Sequence, residues 1–233
     1  MILGFDTATL DTVVAVTGGG GEDREPETRA GPREDGRPAH GTALLGAIEA
    51  AVGEAGGWDS ISLIAVGIGP GSFTGLRIGV STARALAQAR GLQLAGVPTT
   101  TAVVAALAQA PEAAGRTCLA VLDARRGEIF AAVGEQGTVS EAVVCAPGDL
   151  ARAVGSAAVE GAIAAGEGSL RFRSEIESAG ATVLAKTDSG HRVSARQICR
   201  LGAGMTPAAP ERIRPLYLRR PDAERWQERD GRN

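Results

Sequence analysis

The sequence predicts an α/β chain built from two like halves. Strands and helices alternate along the first half. A strand ending in aspartate runs through a turn into a second strand at GFDTAT…VVAV, and the same outline returns at VLDARRGEIFAAV. A proline and glycine break at residues 111–116 separates the two series. At 233 residues the chain is long enough for each half to bury a core of its own. The division expected is residues 1–110, a smaller unit at 111–219, and a charged tail at 220–233.

Element by element, ILGFD and TVVAVT read as two short strands joined by a turn that holds Thr7, Thr9 and Asp11. Residues 18–38 hold six glycines, three prolines and ten charged residues, too polar to offset the cost of ordering, and read as a mobile loop or a polar edge strand. Leu44, Leu45, Ile48 and Val52 then recur at helical spacing, giving a helix with one apolar face that stops at a glycine pair. SLIAVGI is a strand, GPGSFTG a glycine loop, and LRIGVSTARALAQAR a helix. Residues 93–97 form another strand, and residues 99–109 a helix capped by threonine. In the second half TCLAVLDAR, EIFAAVGEQG and AIAAGEG are strands, while GDLARAVG and SARQICR are helical. APERIRPLYLRRP is extended; its arginines with Tyr217 suit RNA phosphates and a stacked base, and docking back on the domain, the favoured reading, accounts for them equally, while the tail beyond is expected to fray.

Composition removes several chemistries. Lys186 is the sole lysine among 24 basic residues and lies outside any GxxxxGK[ST] pattern, which excludes a P-loop. His40 and His191 stand too far apart for a helical zinc pair, and Cys118, Cys145 and Cys199 have neither disulfide nor metal spacing, so the two strand-associated ones read as core. A net charge of −3 argues against the whole chain being a nucleic-acid clamp, though a local arginine patch is compatible with it. No apolar run is long enough to span a bilayer, and the acidic N-terminus lacks signal-peptide character, so a cytoplasmic protein away from membranes is expected.

Two segments carry candidate chemistry. The loop at residues 69–75 follows a buried strand and opens a helix, so Gly69, Gly71 and Ser72 are placed to meet an anion; packing against a neighbour, with Phe73 as buried anchor and Ser72 or Thr74 as cap, explains it equally. Asp6, Thr7 and Thr9 at a strand end suit a hydrated magnesium and phosphate oxygens, and turn formation alone also accounts for them.

FDTAT, GIGPGSFTGLRIG, the helix with Ala85-Leu86-Ala87, GVPTT, LDARRGEIF and PLYLR form an ordered series across residues 1–219 that closely resembles the TsaB (YeaZ) family. The resemblance implies two ribonuclease-H-like α/β domains of the actin/Hsp70/sugar-kinase type, the second reduced. It implies a non-catalytic scaffold in threonylcarbamoyladenosine formation on tRNA, one that binds and activates TsaD, is joined by TsaE, reaches tRNA indirectly and forms a homodimer when alone. The partner face implied is the helix at 40–52 and the helix after Gly75, with His40, Leu44, Leu45, Ile48, Val52, Phe73 and Arg77. The catalytic paralogue needs a histidine pair on one helix; here Gly41 and Thr42 follow His40, so no metal is expected, and ATP or ADP with magnesium has its place at a subunit boundary. The competing reading is a nucleotide-dependent phosphotransferase or peptidase acting on its own through Asp6, Thr7 and the 69–75 loop.

Overall fold

A computed structural model describes residues 1–18 and 26–219. The first half runs β1 (Ile2–Asp6), β2 (Thr12–Thr17), β3 (Glu27–Ala30), α1 (His40–Glu54), β4 (Leu63–Gly69), α2 (Phe73–Arg90), β5 (Gln93–Pro98) and α3 (Thr99–Leu107). The second runs β6 (Cys118–Arg125), β7 (Glu128–Glu135), β8 (Thr138–Val139), β9 (Val143–Cys145), α4 (Leu150–Val154), α5 (Ser156–Val159), β10 (Ile163–Ala165), α6 (Glu167–Arg171), α7 (Arg173–Ser178), β11 (Thr182–Val183) and α8 (Ala195–Ala203).

The first sheet has the order β3-β2-β1-β4-β5, antiparallel among β1, β2 and β3 and parallel through β4 and β5. The second has the order β11-β10-β6-β7-β8 with β9 also on β7, and read from its other edge it repeats the first: an antiparallel hairpin, then two parallel strands. The duplication expected from the two aspartate-ended strands is therefore present in the topology. Every residue of β1 and β2 is buried, as strands covered on both faces must be.

Alternate side chains of each strand enter different cores. Leu3, Phe5, Val14 and Val66 pack outward under α1 and α2 with Leu44, Ile48 and Val80. Val13, Ala65 and Val97 face inward onto α3 and α8, whose far sides meet Ala120, Leu122 and Phe130 of the second sheet. Leu119, Val121 and Ala131 look the other way, toward Leu150, Val159 and Ile176. The result is five layers, with α3 and α8 between the sheets. Although α8 follows the second sheet in sequence, it lies across β1, β2, β4 and β5.

Within the polar 18–38 stretch, residues 27–30 take the edge-strand alternative, pinned by Arg29, which bonds Asp11, Glu27 and the carbonyl of Val193. One local expectation is corrected. No threonine caps α3: Pro98 stands at its N-cap, and the Thr99 hydroxyl turns back into the sheet. The loop part at 19–25 and the tail at 220–233 lie outside the described residues. No helix among the described residues is long and apolar enough to cross a membrane.

Candidate functional site

The β1–β2 turn is closed by the chain itself. Asp6 is fully buried; its carboxylate accepts the Ala8 N–H at 2.6 Å and the Thr99 hydroxyl at 2.7 Å, and Thr99 in turn accepts the Gly69 N–H at 3.2 Å. Burial pushes the Asp6 carboxyl above its ordinary value, opposed by those two hydrogen bonds and the charge of Arg29. A methyl group on Gly67 would overlap the Asp6 carboxylate, so glycine there makes the room in which it sits.

The glycine loop completes the closure. The Thr7 hydroxyl donates to the Gly75 carbonyl at 2.7 Å, and the Ser72 N–H donates to the Ala8 carbonyl at 2.7 Å. Any side chain at Gly71, Gly75 or Gly79 would run into Ala8 or Thr7, so these glycines bring α2 directly onto the turn. Ser72 is the helix N-cap, its Oγ accepting the Gly75 N–H at 3.3 Å, a contribution of about 1 kcal/mol. His40, at the start of α1, locks the same corner. Its Nε2 lies 3.1 Å from the Thr9 carbonyl, which only accepts, so Nε2 carries the proton and Nδ1 accepts from the Thr12 hydroxyl at 2.8 Å. Burial keeps the ring below its ordinary pKa and so neutral.

The residues expected to meet a nucleotide, Asp6, Thr7, Thr9, Gly69, Gly71 and Ser72, thus lie together in a packed corner. Residues 69–75 follow the packing reading, with Ser72 rather than Thr74 as the cap. Phe73 is not a buried anchor: it is half-exposed, its ring 5.1 Å from that of Tyr217, with the Arg77 guanidinium 3.9 Å above it. The partner-face residues separate as well. His40, Leu44, Ile48 and Val52 are buried against the first sheet and cannot touch a partner in this conformation, because spacing of four along α1 makes them the stripe the sheet requires. Leu45, 58% exposed, points the other way, and Arg77 and Phe73 remain accessible.

The open site borders the packed corner, which supplies Ala8, Thr9, Gly71 and Ser72 to its wall. A cleft of about 460 Å³ separates the halves, lined by Ser72 and Phe73 on one side, Asp123, Arg126 and Glu167 on the other, and Tyr217. Here the β6–β7 turn faces outward. Arg125 and Arg126 both adopt left-handed backbone, with φ of 63° and 53°, ahead of Gly127 at 79°. Asp123 holds the turn by accepting the Arg125 N–H at 2.8 Å, and its carboxylate pairs with Arg125 at 3.2 Å and Arg171 at 2.7 Å. Burial, with the nearby Asp123 charge, pushes the Glu167 carboxyl up to about 8. The segment with Tyr217 docks back as expected: the Leu216 N–H bonds the Ile68 carbonyl at 2.7 Å, and Arg219 reaches the Ala124 carbonyl at 2.8 Å. Arg125, Arg126, Glu167 and Thr99 were not singled out as site residues from sequence; the aspartate-ended outline repeated at LDARRG was the signal available. Among the described residues no group of three or more His, Cys, Asp or Glu is disposed to hold a metal.

Comparison with known proteins gives consistent matches. Residues 33–223 match the family model described as TsaD, tRNA N6-adenosine threonylcarbamoyltransferase. The chain is 36% identical over 130 residues to the Escherichia coli (strain K12) tRNA threonylcarbamoyladenosine biosynthesis protein TsaB, covering 55% of this chain and 52% of that one, so it spans about half the length of this curated relative. YeaZ from Pseudomonas aeruginosa matches with a TM-score of 0.70 at 25% identity over 93% of this chain and 99% of the other. A Pseudomonas aeruginosa protein described as similar to peptidase YeaZ matches with a TM-score of 0.72, also at 25% identity, over 94% and 99%.

Proposed function

The chain belongs to the TsaD family as its model defines it and to the TsaB/YeaZ proteins, and from that premise we propose that it is a non-catalytic subunit of the machinery that makes threonylcarbamoyladenosine in tRNA, one that binds and activates a TsaD partner, with TsaE joining the assembly. The observation that carries the non-catalytic reading is the closed corner. The groups that would grip a phosphate or a hydrated magnesium, Asp6, Thr7 and the Ser72 N–H, are each engaged within the chain. They do not fit as a cradle for ATP or ADP with magnesium, and on this reading such a nucleotide belongs at the boundary with the partner.

The outward face of α1 supports the docking half of the proposal. Gly41, Thr42, Gly46 and Glu49 flank the exposed Leu45, and the first three are small enough to let a partner helix approach closely. In the absence of TsaD the same face is free to meet a second copy of the chain. Leu45→Glu should abolish copurification with coexpressed TsaD while leaving the melting temperature unchanged, since Leu45 touches no core. A folded variant that still copurifies in full would overturn the assignment of this face.

A further inference from the structure

We infer that the lips of the inter-half cleft form a direct contact surface for single-stranded RNA, with Phe73, Arg77 and Tyr217 on one lip and Arg125, Arg126 and Arg171 on the other. The choice of RNA as the polyanion rests on the tRNA role proposed above; the surface itself rests on the observations that follow.

The first observation is charge. The chain carries a net charge of −3, yet arginines crowd this one opening. Arg125, Arg126 and Arg219 line it directly, Arg77 stacks on the Phe73 that lines it, and Arg171 reaches it through Asp123. Among the described residues the opposing carboxylates are fewer. Asp123 is shared between two guanidinium groups, Glu128 lies 3.5 Å from Arg219, and burial raises the Glu167 carboxyl to about 8. The described lips thus carry more arginines than carboxylates on an acidic protein, the local signature of a polyanion site.

The second observation is the interleaved aromatic pair. Tyr217 packs on Phe73 and remains 41% exposed at the cleft edge, so it offers ring surface on which a base can stack beside guanidinium groups suited to phosphate. Aromatic and arginine side chains alternating along an open groove are the usual platform for unpaired bases. A free nucleoside polyphosphate suits the site less well, because it needs converging backbone N–H groups, and in the nearest set, at residues 69–75, those of Gly69, Ser72 and Gly75 are already bonded to Thr99, Ala8 and Ser72. Arginines spread over both lips serve a chain of phosphates better than one compact cluster of them.

The test is fluorescence anisotropy of a labelled single-stranded RNA on the full chain without TsaD, across a range of salt, with ATP as competitor. Binding should saturate and weaken steeply with salt. Tyr217→Ala should weaken it by about tenfold, and Arg126→Glu should weaken it and lower the salt slope by about one. Circular dichroism should show both variants folded. Absence of saturable binding at low salt, binding indifferent to both variants, or stoichiometric displacement by ATP would overturn the inference. Because TsaD is left out, failure here leaves the proposed scaffold role standing, and failure of that role leaves RNA binding by this chain intact.

Discussion

The two halves share one strand order and have opposite turns. In the first half, Gly71 and Gly75 abut Ala8 and Thr7, in the turn itself, and α2 seals it. In the second half, the corresponding close approach falls before the aspartate: Gly166 and Gly168 abut Val121 and Leu122, within the strand, and leave Arg125, Arg126 and Gly127 exposed. The partners of the two aspartates follow from that shift. Asp6 is enclosed by a backbone amide and a threonine hydroxyl, whereas the nearly buried Asp123 pairs with two arginines that are themselves open to solvent. Moving the glycine contact from just after the aspartate to just before it turns the same scaffold from packing into surface.

This contrast is breakable at graded cost. Gly67→Ala should be the most damaging change, because its methyl group collides with an Asp6 carboxylate that is hemmed in on every side; we expect a loss of about 3 kcal/mol or more in urea unfolding. Thr99→Val removes the hydroxyl that joins Asp6 to the Gly69 N–H and leaves buried groups unpaired, for an expected loss of about 2 kcal/mol by the same measurement.

Glu167→Gln tests the open half and should act through pH. With its carboxyl at about 8 in the folded chain against an ordinary 4.5, the folded state keeps a proton that the unfolded state has released across that window. The contribution is therefore fully present below pH 4.5, declines as pH rises toward 8 and is gone above it. Thermal melts of the glutamine variant should lose that decline, matching the parent in acid and exceeding it by a few degrees above pH 8.

The long elements were legible because each carried its own signal. The buried runs ILGFD, TVVAVT and SLIAVGI are strands in the places expected, and the glycine loop into α2 is where the pattern put it. The second half was harder to read, since β8, β9, β11 and α5 are two to four residues each, shorter than any periodicity can mark. In α1 the apolar stripe was visible but its direction was not. Leu44, Ile48 and Val52 at intervals of four serve the chain's own sheet, and Leu45, one position off that stripe, is the one left for solvent. Site residues depended on contacts distant in sequence. Nothing near Thr99 announces a bond to Asp6, and nothing near Phe73 announces Tyr217. The duplication was the better guide, since the outline shared by GFDTAT and VLDARRG marks both turns.

The central claim is that this chain supports a reaction carried out by its partner. Reconstitution tests it most directly: tRNA, a source of threonylcarbamoyl adenylate, TsaD and TsaE, with and without this chain, reading threonylcarbamoyladenosine formed. The account predicts modification that depends on the chain and none from the chain without TsaD. Full modification in its absence, or turnover by the chain alone, would contradict it.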